Sequence, residues 1–219
     1  MPCDVLVVAA FDPELARIRE VLGGRADRAA ISAGEVSVVV RAVGIGLPMA
    51  AAGSARAIAE VQPRAVVALG TCGAYRGRAL AIGDVVVATS VLLTDPSVIE
   101  GRSQFPGPMS LASDAEPSLA AALQLAGARA ARIATTLSIT VDESTAARIA
   151  QATGAEAEHL EAHAVATACE ACKIPFGAVL GVANYVGSTA RDEWREHNAS
   201  CASAAAEVVV RWLRALAIR

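Results

Sequence analysis

Short apolar runs separated by amphipathic helical stretches constrain this chain more than any other feature. "DVLVVAA" (residues 4–10) reads as a buried strand, and "PELARIREVL" (13–22) as a helix with Asp12 as N-cap and Pro13 at N1. "EVSVVVRAV" (35–43) is the next strand and "LPMAAAGSARAIAEV" (47–61) the next helix. Strands are expected at 65–69, 84–93, 130–137 and 176–183, and helices at 115–126, 143–152, 161–172 and 192–217. A Pro/Gly/Ser-rich loop fills roughly 94–110. Such alternation calls for a three-layer α/β domain with a largely parallel sheet buried on both faces. With 219 residues, no linker and no internal repeat, a single domain over 1–219 is expected.

Composition narrows the function classes. Hydrophobic residues make up 54% and aromatics only 3%, so the core is aliphatic and stacking platforms for bases are scarce. Together with a net charge of -3, this argues against nucleic-acid binding. No apolar run approaches the about 20 residues of a membrane span. No basic n-region precedes "CDVLVVAAF", so a cytoplasmic location is expected. Five cysteines, an odd number, fit reduced thiols, and the lone Cys169-x-x-Cys172 has no second ligand pair for zinc. Helix burial is its simpler reading.

In an α/β sheet the ligand-binding positions are the strand ends. Gly44-x-Gly46 lies between a strand and a helix, but Met49 and the strand end Ala68-Leu69-Gly70 break a dinucleotide fingerprint. No Gly-Lys-Ser/Thr follows either glycine loop, so a P-loop fails as well. His159, Glu161 and His163 look like metal ligands, yet Glu161 stands two residues after the first His, about 200° from the pair on a helix. No metal site and no cofactor is expected. Glu161 is either a solvated residue at a helix N-terminus or a hydroxyl-binding carboxylate, and Glu14 poses the same choice. Asn184, beyond the run 176–182, can donate and accept through one amide or simply form a turn. Asp192 is a candidate cap for the last helix.

The order of these loops resembles the nucleoside phosphorylase and nucleosidase superfamily over essentially the whole chain. "AVGIGLPMAA", "GTCGAYRGRALAIGDVVVA" and "EHLEAHAVATACEACKIPFGAVLGVAN" carry the resemblance. It implies an α/β/α sandwich around a twisted, mixed sheet, cleavage of the N-glycosidic bond of a purine nucleoside, and at least a homodimer. Phosphorylases of the family hold phosphate with a Gly-Asp-Pro-Leu-Arg loop and an Arg before the Gly-Ser/Thr-x-Gly turn. Here Phe11 replaces the Gly, Leu15 stands where the Arg falls, and Ala68-Leu69 precede Gly70. The resemblance therefore favours the hydrolase branch, with Glu14 aligned to its water-activating Glu and Asn184 to its base-binding Asp. Substrate contacts carried over are Phe11, Gly46 and the Thr71-Cys72-Gly73 turn as floor, then Thr140, then Leu160-Glu161 at the ribose.

Asn184 in place of Asp suits a 6-oxo base, and "NYVGSTARDEW", with Arg191, Asp192 and Trp194, resembles the futalosine hydrolases, which release hypoxanthine during menaquinone synthesis. Methylthioadenosine/S-adenosylhomocysteine nucleosidase, phosphorylase (recruiting Arg41, Arg76 or Arg78 to phosphate) and a non-catalytic nucleoside sensor are the alternatives. Cys72 has no obvious basic partner in the segment, which weakens a nucleophile reading.

Overall fold

Val5, Leu6, Val7 and Val8 are consecutive and all essentially inaccessible, so the first strand is covered on both faces. The computed structural model describes residues 3–23, 29–30 and 36–217. Its elements begin with β1 (Cys3–Ala9), a 3₁₀ turn (Asp12–Leu15), α1 (Ala16–Val21), β2 (Ala29–Ala30) and β3 (Ser37–Ala42). Then come α2 (Leu47–Val61), β4 (Pro63–Ala74), β5 (Val85–Leu93), α3 (Pro96–Ile99), β6 (Ala112–Asp114) and α4 (Pro117–Leu125). The chain finishes with β7 (Arg129–Thr135), α5 (Glu143–Thr153), β8 (Ala157–Glu158), α6 (Ala162–Ala171), β9 (Phe176–Tyr185) and α7 (Ala190–Leu216). Glu35, expected to open the second strand, lies outside the described residues.

The strands form one sheet in the order β2-β3-β1-β4-β8-β7-β5-β6, with β9 pairing both β4 and β5. The largely parallel sheet expected from the alternation is thus corrected to a mixed one. β1 pairs β3 and β4 in parallel, whereas β4–β8, β5–β9, β5–β6 and β2–β3 are antiparallel. Strands of two or three residues carry too little periodicity to be seen in the sequence, and they account for three of these antiparallel pairings. The pairings also close β4, β9, β5, β7 and β8 into a ring.

Helix α7, with α1 and α4 against it, covers one face of the sheet, and α2 and α6 pack together on the other. This is the three-layer α/β/α sandwich with a mixed central sheet. Alanine and glycine let the layers close up. A Cβ at Gly181 of β9 would stand 2.2 Å from the Cys201 carbonyl oxygen of α7, so a side chain there would force helix and sheet apart. The core is aliphatic, and Tyr75 is its largest fully buried side chain. Cys169 is buried in α6, but Cys172 is exposed at the helix end, so only one half of the Cys-x-x-Cys pair is core. No described helix is long and apolar enough to cross a membrane.

Two local readings change. Asp12 is not an N-cap: Phe11 holds that position without a side-chain hydrogen bond, and the Asp12 carboxylate pairs with Arg19 at 2.6 Å. Asp192 is not a cap either, because α7 starts earlier, behind Thr189, and Asp192 pairs with Arg195 at 3.1 Å in the first turns.

Candidate active site

Strand β4 does not stop at residue 69. It runs on through Gly70-Thr71-Cys72-Gly73 to Ala74, so this segment is extended strand and not a turn. β1 flanks β4 only as far as Ala68; beyond it, β8 takes over the same side at Gly73 and Ala74. β9 lies along the other side, with a bulge at Ala183 that shifts the register so that Asn184, not Ala183, stands beside Gly73. A cavity of about 420 Å³ opens above this floor, a volume suited to a small organic ligand.

Small residues in β4 leave room for polar side chains from elsewhere. A Cβ at Gly70 would lie 2.9 Å from Glu14 Oε1, and one at Gly73 would lie 2.7 Å from Asn184 Nδ2. Neither glycine has a positive φ; both are needed for close approach. The 3₁₀ turn after β1 is tight enough to turn Glu14 inward, where it is only 6% exposed. Its Oε1 accepts from Thr71 N–H (3.0 Å) and Thr71 Oγ1–H (3.1 Å), and Trp194 Nε1–H donates to Thr71 Oγ1 at 3.1 Å. Its Oε2 is buried without a partner. Burial, with a smaller contribution from the nearby Glu161 charge, raises the Glu14 carboxyl from 4.5 to about 7.

Glu161 is also buried, which excludes the solvated helix-end reading. Its Oε1 accepts from Gly46 N–H at 2.7 Å. Gly46 itself does not line the cavity; at φ +79° it adopts a left-handed conformation and holds Glu161 from behind. His159 Nδ1 accepts from the Glu161 and Ala162 N–H groups (3.3 and 3.0 Å), capping α6. Its proton is thereby placed on Nε2, 3.4 Å from Glu161 Oε2, and burial lowers its basicity, which keeps the ring neutral. The order Glu161-after-His159 that spoils a metalloprotease helix thus serves a cap. His163 does not line the cavity: its backbone N–H donates to Thr135 Oγ1 at 3.2 Å, and its ring Nδ1 lies 3.4 Å from Thr167 Oγ1. Among the described residues, no group of three or more His, Cys, Asp or Glu could hold a metal ion.

The remaining expected residues, Phe11, Thr71, Cys72, Thr140, Leu160 and Arg191, all line the same cavity. Cys72 is buried and its thiol is pushed well above the usual range by desolvation, which removes it as a nucleophile. The sequence reading missed the structural weight of Trp194, whose ring lies 6.2 Å from that of Phe11, and missed Glu158 altogether. Glu158 is 7% exposed and accepts from Thr140 N–H (3.1 Å), Thr140 Oγ1–H (2.7 Å) and Tyr75 O–H (3.0 Å). Burial raises its carboxyl, and those donors oppose the shift. No signal in the sequence marks it, because β8 is only two residues long.

The Glu14 shift has a consequence for stability. The folded-state value, about 7, lies above the unfolded value near 4.5, so between them the folded chain binds the extra proton. The favourable contribution is full below pH 4.5 and is lost as pH rises through 7. Glu14→Gln should therefore stabilise the fold at pH 8, by up to about 3 kcal/mol, with the difference vanishing near pH 4. Urea unfolding at both pH values measures it.

The chain has solved structural counterparts at low identity. The methylthioadenosine/S-adenosylhomocysteine nucleosidase of Helicobacter pylori superposes with a TM-score of 0.87 at 16% identity, over 97% of this chain and 98% of that one. The futalosine hydrolase of H. pylori strain 26695 gives 0.87 at 15% identity, over 97% and 98%. The methylthioadenosine/S-adenosylhomocysteine nucleosidase of Neisseria meningitidis, solved with methylthio-immucillin-A, gives 0.86 at 22% identity, over 97% and 99%. No curated protein matches the chain in sequence. The phosphorylase superfamily model matches residues 4–217, and the chain belongs to that family.

Proposed function

We propose that this chain is a nucleosidase that hydrolyses the N-glycosidic bond of a 6-oxopurine nucleoside, with futalosine as substrate and hypoxanthine as one product. The observation that carries this reading is Glu14: a buried carboxylate that lines the cavity, poised near neutrality, with one oxygen that has no partner. A water held there gives its proton to Glu14 as its oxygen bonds to C1′. The C1′–N9 bond breaks with its electron pair going to the base, through an oxocarbenium-like transition state. Glu161 accepts from the ribose hydroxyls, Leu160 covers the sugar face, and Asn184 donates to the departing base. Trp194 and Thr71 hold Glu14 in place.

Water is favoured over phosphate because the cavity's arginines are few and misplaced for a dianion beside Glu14. Arg41 donates to the Val40 carbonyl oxygen, Arg78 to that of Ala150, and Arg76 lies over the Tyr185 ring near Glu193; none of the three lines the cavity. Arg191 and Arg195, which do, come from the start of α7 beside Trp194. Arg195 is paired with Asp192, and the Arg191 charge suits a nucleoside with an anionic substituent. The nucleosidases and the futalosine hydrolase that share this fold support the same reaction class. Five free cysteines suit a reducing cytoplasm, and this is the compartment proposed.

Chromatography of futalosine, inosine and methylthioadenosine reactions, with and without phosphate, tests the proposal. Free base should form from the 6-oxo nucleosides without phosphate, with kcat/KM falling tenfold per pH unit below about 7. Glu14→Gln should lower turnover by about 10²- to 10⁴-fold. Strict dependence on phosphate would make the chain a phosphorylase, and binding without product a sensor.

Asn184→Asp removes the amide donor and should shift preference from 6-oxo to 6-amino nucleosides by about 10-fold or more. An unchanged kcat/KM ratio for inosine and adenosine counts against Asn184 as a base contact.

The oligomer is part of the proposal. Ile45, Leu137, Ile139 and Val141 are more than half exposed, and three of the four line the cavity mouth. Burying such a group against a second copy would also shield the site from water. Sedimentation velocity should show a dimer or larger, and a monomer at micromolar concentration would contradict it.

A further inference from the structure

Among the described residues, Glu158 is the one buried carboxylate of the cavity that the hydrolytic scheme leaves unused. Its position follows from strand pairing. Gly73 of β4 has Glu158 of β8 as its partner on one side and Asn184 of β9 on the other. Residues paired across strands project to the same face of a sheet, so the two side chains rise on either side of a residue with no side chain. Their Cα atoms are two strand spacings apart, about 10 Å. The edge of one base can span that gap.

The carboxylate is held and still incomplete. Thr140 N–H donates to Oε1, while Thr140 Oγ1–H and Tyr75 O–H donate to Oε2. A carboxylate offers about four acceptor positions, so one remains, on Oε1. The donors that fix it also cost the cavity a donor of its own, because the Thr140 amide is already occupied. This end of the cavity therefore presents an acceptor and little else.

We propose that Glu158 accepts the N1–H of a 6-oxopurine and so acts with Asn184 as the specificity-determining pair of the site. The inference rests on the nucleosidase reading above. Along the edge of hypoxanthine the groups run N7, O6, N1–H. Asn184 donates at the N7/O6 end, and Glu158 takes the proton-bearing N1 at the other. Adenine presents a lone pair at N1, which would face the carboxylate without a hydrogen bond. A buried acceptor left against an acceptor is strongly disfavoured, which is how a hydrogen-bonding site discriminates.

The test compares kcat/KM for inosine and adenosine, which share a sugar, in the parent chain and Glu158→Gln. The expected result is a loss on inosine of about 10- to 100-fold, with adenosine unchanged or improved. An equal loss on both would mean that Glu158 only supports the Thr140 loop, and would overturn the proposal. A second measurement needs no variant, and decides the matter if Glu158→Gln fails to fold. Calorimetry of the parent chain with hypoxanthine and 1-deazahypoxanthine, which differ by N1–H against C–H, should show about 10-fold weaker binding of the deaza base or worse. Equal affinities, or no binding of hypoxanthine, overturn it. Selective binding of hypoxanthine without turnover of any nucleoside would remove the hydrolytic reading and leave Glu158 as the base reader.

Discussion

The site depends on β4 staying extended through Gly70-Thr71-Cys72-Gly73, with nothing larger than a hydrogen at its two glycines. Thr71 supplies both donors that hold Glu14, and Gly73 separates the Glu158 and Asn184 side chains. Were this segment a turn, its amides would point in several directions and could cradle an anion. As a strand it keeps its ladder to β9 along one side, and on the other, between the end of β1 and the start of β8, the Thr71 amide goes to Glu14. The same glycines that suggest a phosphate cradle are thus places where Glu14 and Asn184 lean over the backbone.

Electrostatics then sets the character of the cavity. Glu14, Glu158 and Glu161 are all buried around it. Each is stabilised by neutral donors: Thr71 for Glu14, Thr140 and Tyr75 for Glu158, and the Gly46 amide for Glu161. Neutral donors compensate burial only in part, so the Glu14 carboxyl is raised toward neutrality. A guanidinium at its side would have held it ionised and made it a poor base. Leu15, Ala68 and Leu69 put no guanidinium beside Glu14.

Much of this was legible in the sequence, for reasons that also explain what was not. α2 runs from Leu47 to Val61, the span its apolar spacing predicts, because a long amphipathic pattern leaves little choice of boundary. Glu14, Asn184 and Glu161 could be singled out because polar residues at strand ends are few. Glu158 could not. It sits on a two-residue strand whose existence depends on β4 and β7 being in place around it. The bulge at Ala183, which aligns Asn184 with Gly73, is likewise a property of pairing and not of local pattern. His159 looked like a ligand because its partner amides, two and three residues on, cannot be distinguished from any others in a sequence.

The strand ring has a further consequence. β8 is paired on both sides, by β4 and β7, and among the described residues the sheet's outermost strands are β2 and β6, two and three residues long. A Val- and Ala-rich sheet with long bare edges would offer a template for edge-to-edge growth. Here, among the described residues, the two terminal strands are short, and β2 covers β3 at Ser37 and Val38 only. Terminal strands this short limit the room for edge-to-edge growth and leave association to side chains, which can be made specific.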